Sequence, residues 1–492
     1  MRLYICLFLL TLCHCEKQKL SKDTLYVALD AEVKNLDPRT ATDANSMRIS
    51  ELIFSGLVKI GPQLKVLPDS AYKWEQKNLD YIFYLKPLKF SNGRSVTKKD
   101  LLFSFNEFMR KGSPFFSAFK QIQSVQVSKQ KENWIVKIRL KEFSATFLSS
   151  DLPVIKILPQ LEIMKSKKDF LKSPIGSGSY KVVHKNSREL LLKRRHALPH
   201  KPDYLSFQFI RDSFTRTQKM LTGQIDISPS VIPLDKIHRF PKDKFQILTQ
   251  ASLSTTYLLL NLKNNLLKNK EVRRALSLSL NKKEIIKYKL KGFGIPALSI
   301  LQPENRFFNP ALKAYPYDLH QSQKIIEKLN LKGKVLKLTT TNNRDSINKA
   351  KILSNQIKQS GLNIQIEQYE WGTFYKDLNR GHYQIALMKW VGITDPDIYR
   401  IAFHSENQAP QGRNRSFYSD KNMDQLLETG LKLKDQNKRK NIYNKIQRQI
   451  FKDIAIIPLW HDMEVSILKK NIKNYQLFMN GSLLALEQVS KE

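Results

Sequence analysis

Residues 335–388 run strand, helix, strand, strand, and that order restricts the fold more than any other feature of the chain. Residues 335–340 read as a strand. Ala350, Leu353 and Ile357 then share one face of a helix that Gly361 stops. Leu362, Ile364 and Ile366 alternate as the next strand, and residues 384–388 supply another. A helix between two strands implies a crossover and a sheet that is at least partly parallel.

Similar signals cover the rest of the chain. Leu25 to Leu29 is an apolar run of strand length, and Ile49, Leu52 and Ile53 mark a helix over 45–54 with Gly56 as its stop. Residues 81–85 and 134–140 read as half-buried strands, and Ser91-Asn92-Gly93-Arg94 as a turn. Thr97 with Asp100 three residues on resembles a capping box opening a helix through Leu101, Phe105 and Phe108. In the second half, residues 271–280 form a helix, Asn281 and Asp318 start two more, and Tyr443, Ile446 and Ile450 lie on a long helix near the end. The expected fold class is α/β, in two lobes with a smaller accessory domain in the first half. A length of 492 residues suits this, at roughly 100–200 residues per domain.

Cysteine occurs at Cys6, Cys13 and Cys15 and nowhere after them. The folded part therefore holds no disulfide and no cysteine-based zinc site. Arg2, the apolar stretch 3–12 and the polar Glu16-Lys17-Gln18-Lys19 fit a secretory signal, too short to span a bilayer of ~20 helical residues. Cys13, after Leu10-Thr11-Leu12, or Cys15 is the expected lipidation site, although Leu12 and His14 are both larger than the small residue usual there. The rest of the chain is expected to lie outside the cytoplasm, in the periplasm or on the outer face of the cytoplasmic membrane.

The formal net charge is +39, which raises nucleic acid or an anionic membrane as partners. The lysines and arginines are spread in ones and twos, and the densest groups, Lys193-Arg194-Arg195 and Lys438-Arg439-Lys440, are short. A solvated basic surface is the reading adopted, with no nucleic acid as partner. A surface adhesion or nucleic-acid-binding protein remains the alternative from another class.

Signatures of catalysis are missing. No HExxH, Walker loop or Gly-x-Ser-x-Gly elbow occurs. Gly292-Phe293-Gly294-Ile295-Pro296-Ala297 follows a helix rather than a strand, and Pro296 sits where a phosphate-binding helix would begin, so it reads as a turn. His196 and His200 have helical spacing, but Pro199 lies between them. Asp395-Pro396-Asp397 reads equally as a turn starter or an acid pair. Pro174-Ile175-Gly176-Ser177-Gly178-Ser179-Tyr180 reads as a flexible crossing between domains. No enzyme, cofactor or metal site is expected.

Several of these segments, in this order, resemble the peptide-binding proteins of bacterial ABC importers, the extracellular solute-binding proteins of family 5. The resemblance rests on Asn35-Leu36-Asp37-Pro38, Leu52-Ile53-Phe54-Ser55-Gly56-Leu57-Val58, Phe90-Ser91-Asn92-Gly93-Arg94, Pro174 to Tyr180, Val272-Arg273-Arg274-Ala275-Leu276 with Asn281 to Ile286, and Ile456-Ile457-Pro458-Leu459. It implies a two-lobed Venus-flytrap fold of the periplasmic-binding-protein kind, closing on an oligopeptide that it delivers to the permease. The implied layout is a signal at 1–15, lobe I at 20–50, 176–255 and 465–492, an accessory domain at 51–175, and lobe II at 256–464. A monomer that needs no cofactor goes with it.

For the site, the resemblance implies Ala31-Glu32-Val33 from the first lobe and Trp390-Val391-Gly392 from the second, facing each other across an extended peptide. Trp371 matches an aromatic near a side-chain pocket, and Tyr257 lies on the strand entering the second lobe. In the peptide binders an aspartate follows the Trp-x-Gly step and pairs with the ligand's α-ammonium group. Here Ile393 stands in its place, before Thr394-Asp395-Pro396-Asp397. Either Asp395 replaces that carboxylate or the amine clamp is absent. In the second case a blocked peptide, a cell-wall fragment, a sugar or a metal chelate becomes the alternative ligand.

Overall fold

The computed structural model describes residues 21–492 except Thr42, Ala145 and Ala314, with the side chains of Ser117 and Ala118 also set aside. Two long antiparallel strands, Phe245–Leu260 and Ile456–Lys469, run through the middle of an eleven-stranded sheet. Their register breaks between Ala251 and Thr255. Beyond the break, Thr255 to Leu260 pairs with Ile385–Trp390, which is followed by Val335–Thr341 and Asn363–Tyr369. On the other side, Ile456–Lys469 pairs with Ile227–Pro229, and Thr24–Leu29, Tyr204–Phe209, Glu189–Arg194 and Tyr180–Lys185 follow in turn. The break thus divides the sheet into two lobes sharing two continuous strands.

The crossover read from the sequence is present. Val335–Thr341 pairs parallel with both Asn363–Tyr369 and Ile385–Trp390, with the helix Arg344–Lys358 between the first two. Both faces of this half-sheet are covered, and this explains the uninterrupted apolar run at 257–260. Leu258 and Leu260 enter one buried cluster with Val272, Leu276 and Leu353, while Tyr257 and Leu259 enter another with Phe374, Tyr399 and Tyr443. Successive strand residues point to opposite faces, so one strand feeds two cores.

Capping follows the sequence closely. Thr97 accepts from the Asp100 N–H (3.3 Å), and the Asp100 carboxylate accepts from the Thr97 N–H (2.9 Å), a reciprocal pair that opens Lys98–Met109. Asn281 and Asp318 cap Lys282–Tyr288 and Leu319–Lys328 by the one-way bond only, their side chains accepting from the Glu284 N–H (3.1 Å) and the Gln321 N–H (2.8 Å). The helix Ala44–Ile53 ends one turn before Gly56, with Phe54 as its C-cap, because the chain turns there to pair with 155–157. Gly294–Pro296 is a short strand against Ile456–Lys469, not a phosphate loop. His196 and His200 lie exposed outside any helix.

Within residues 51–175, the strands Ala71–Lys77, Asp80–Leu85, Asn133–Leu140 and Ile122–Gln130 form a separate antiparallel sheet. Its core is not separate. Phe83, Val136 and Phe105 belong to the same buried cluster as Leu25, Leu205 and Leu468 of lobe I. Burying each such side chain stabilises by roughly 1.5–3 kcal/mol, so the shared cluster couples the two units strongly.

The segment 174–180 is a packed crossing, contrary to the flexible one expected. The Gly178 N–H donates to the Ile53 carbonyl (2.8 Å), and the Gly176 carbonyl accepts from the Ser91 N–H (2.8 Å). Both glycines sit against the end of the helix Ala44–Ile53, leaving no room for a side chain.

Candidate functional site

The loop 391–395 leaves the strand Ile385–Trp390 where the two lobes meet. Gly392 has a φ of +73°, the left-handed region that glycine enters without a Cβ penalty. The Ile393 N–H donates to the Leu253 carbonyl (3.0 Å), inside the stretch where the long strands break register. Thr394 Oγ1 lies 3.0 Å from Ser150 Oγ, a contact between the second half of the chain and the first.

Beside this contact is a cavity of ≈ 250 Å³. Met47, Ser50 and Glu51 of the helix Ala44–Ile53 form one wall, and Ser149, Ser150 and Lys156 another. Asn480 comes from the C-terminal segment, and Gly392 and Thr394 close the cavity from lobe II. Next to Ser150, burial pushes the Asp151 carboxyl up to about 6, and repulsion from Asp395 adds to the rise, while hydrogen bonds from Gln121 and Thr146 oppose it. Glu51 Oε2 accepts from Ser482 Oγ (2.5 Å).

Asp395 is fully engaged within its own lobe. Its two oxygens receive Arg439 Nη1 (3.0 Å) and Nη2 (2.8 Å), and Oδ1 also accepts the Asp397 N–H (2.8 Å). Arg439 is 1% exposed, so this is a buried, bidentate ion pair. The turn-starter reading of Asp395-Pro396-Asp397 describes it; the reading in which Asp395 supplies a free carboxylate to a ligand amine does not fit this pairing. Ile393 is itself buried, packed in the cluster with Tyr257 and Phe374.

Among the other residues drawn from the resemblance, Gly392 lines the cavity. Ala31, Glu32 and Val33 do not: the Ala31 carbonyl accepts from Asn45 Nδ2 (3.3 Å), Glu32 pairs with Lys185 (3.2 Å), and Val33 is in the core. Trp390 stacks on Tyr257 with ring centroids 6.2 Å apart and planes within 7°. Tyr257 is buried behind it, and that burial raises its hydroxyl pKa well above the usual range. Val391 stands exposed. Trp371 is also exposed, at the first position of its helix against Phe374 and Tyr375, away from the cavity. Cys13 and Cys15 lie outside the described residues.

Sequence reasoning missed Ser150, Thr394, Glu51, Asn480, Arg439 and Lys156. Only Lys156 carried a visible signal, as the one charge inside the apolar run Val154-Ile155-Lys156-Ile157-Leu158. Among the described residues no group of His, Cys, Asp or Glu could hold a metal ion, and no helix is long and apolar enough to cross a membrane.

Comparison with known proteins gives this architecture a family. Residues 65–411 match the model described as bacterial extracellular solute-binding proteins, family 5 Middle. Di/tripeptide-binding protein 1 of Pseudomonas aeruginosa is 25% identical over 482 residues, covering 89% of this chain and 88% of the relative. The dipeptide-binding protein of Escherichia coli is 24% identical, covering 92% of each. The crystal structure of the ABC transporter substrate-binding protein CtaP of Listeria monocytogenes superposes with a TM-score of 0.84 at 24% identity, over 95% of this chain and 99% of that one. The chain belongs to the bacterial extracellular solute-binding proteins of family 5.

Proposed function

We propose that the chain is the extracytoplasmic solute-binding component of an ABC importer, and that it takes a short peptide between its lobes and passes it to the permease, with no chemistry of its own. The observation that carries this is the cavity at the lobe junction, walled by Ser150 and Lys156 on one side and Gly392 and Thr394 on the other. A solute touching both walls gains contacts in the closed arrangement that it lacks in the open one, and this difference drives closure. The Ile393–Leu253 hydrogen bond ties the binding loop to the strand that joins the lobes. A volume of ≈ 250 Å³ lies just below the usual ~300–1,000 Å³ of ligand pockets, so the ligand it suits is a small one, a peptide of a few residues at most. Relatives carrying the names di/tripeptide-binding and dipeptide-binding protein point the same way.

By the resemblance alone, the segments at 31–33 and 390–392 are assigned as main-chain partners for the peptide, although 31–33 lie outside the cavity, and Trp390 is backed by Tyr257. Trp371 is assigned a place at the outer edge of the site. Lipid on Cys13 or Cys15 holds a monomer at the outer face of the cytoplasmic membrane.

Filling the cavity tests the proposal. Mixed tripeptides should raise the melting temperature of the wild type and leave that of Ser150→Trp unchanged. An equal rise in both proteins would move the binding site elsewhere.

A further inference from the structure

Lys156 is 6% exposed and lines the junction cavity. Its neighbours Ile155 and Ile157 turn into the lobe I core, and the Ile157 N–H donates to the Ser55 carbonyl (2.9 Å). Backbone pairing on a strand-like segment therefore fixes Lys156 toward the opposite side, with little freedom to leave. A buried ammonium is costly unless an anion or several acceptors compensate it.

The carboxylates around it are already served. Burial raises the Asp69 carboxyl and attraction to Lys156 opposes the rise, but Asp69 accepts the Gly56 N–H (2.6 Å) and makes no ion-pair contact with Lys156. Glu487 is taken by Lys59 (3.2 Å) and by Ser179 Oγ (2.6 Å), and Glu51 by Ser482. Among the described residues no carboxylate lies within ion-pair distance of the Lys156 ammonium. Across the cavity, Gly392 and Thr394 carry no charge, and Asp395 belongs to Arg439. Lys156 thus meets no carboxylate at contact distance, while Glu51, the other charged residue lining the cavity, is held by the Ser482 hydroxyl.

We propose that Lys156 binds a carboxylate of the solute, so that the ligand is held by an acid group rather than by its amine. This rests on the peptide reading and deepens it. It assigns Lys156 a specificity role, with Ser149, Ser150 and Asn480 as neutral hydrogen-bonding walls and Glu51 as the one acidic residue lining the same cavity.

Two tripeptide libraries built from Gly, Ala, Leu and Ser test it, identical except that one ends in a free carboxylate and the other in an amide. Equilibrium dialysis of the full chain with mass-spectrometric quantification reads the preference. The wild type should favour the acid library by about tenfold or more, the effect of one charge-assisted hydrogen bond. Lys156→Met should abolish the preference and Lys156→Arg should retain it. If Lys156→Met does not fold, the wild-type preference and the Lys156→Arg result decide alone. Equal binding of both libraries by the wild type overturns the role of Lys156 and leaves the peptide reading standing. Binding of neither library overturns the peptide reading, and the Lys156 assignment with it.

Discussion

Replacing Asp395 by alanine should cost about 3–5 kcal/mol of stability, the price of leaving a buried charge without its partner. Arg439 is nearly inaccessible, and Asp395 meets both of its terminal nitrogens. After the substitution the guanidinium keeps the Gly430 carbonyl (3.1 Å) and the ring faces of Phe307 and Tyr443, which are weaker partners. The double variant Asp395→Leu, Arg439→Met removes both charges and should recover most of the loss. Urea denaturation measures all three. The comparison also separates two roles for Asp395. Were it the amine clamp, Asp395→Ala would lose peptide affinity and keep its stability.

A comparable effect is expected from the smallest side chain that can be added at the crossing. In Gly176→Ala the new Cβ would stand 2.1 Å from the Ile53 carbonyl oxygen, which is backbone at a helix end and cannot step aside. Overpacking of this kind costs about 1–3 kcal/mol or more, and here the strain falls on the junction of lobe I with the strand-and-helix unit beside it. Thermal denaturation should show a clearly lowered transition for Gly176→Ala. Ser179→Ala, three residues along the same segment, supplies the control: it loses the hydrogen bond to Glu487 and no packing. Equal stability of Gly176→Ala and the wild type would contradict the close approach.

Elements with strong periodicity or capping chemistry were legible in the sequence. The crossover at 335–369, the Thr97–Asp100 box and the Asn281 and Asp318 caps all follow from local residue patterns, and the structure has each where the pattern puts it. Long-range partnerships were not legible. Nothing near Asp395 in sequence announces Arg439, because the pair forms only when the helix Gln436–Asp453 packs back over the loop. The glycines of the crossing read as flexible for the same reason: their tightness comes from Ile53, more than a hundred residues away. The Trp390–Tyr257 stack joins two strands that neighbour each other only in the sheet. Lys156 was visible as a lone charge in an apolar run, but its lack of a partner is a fact of three dimensions.

What the protein carries when it is purified gently tests the central claim most directly. Native mass spectrometry of the full chain should show it with bound mass, and denaturation should release short peptides of mixed sequence. Release of a single non-peptide species, such as a sugar or a metal chelate, would contradict peptide capture while leaving the two-lobed fold and its family untouched.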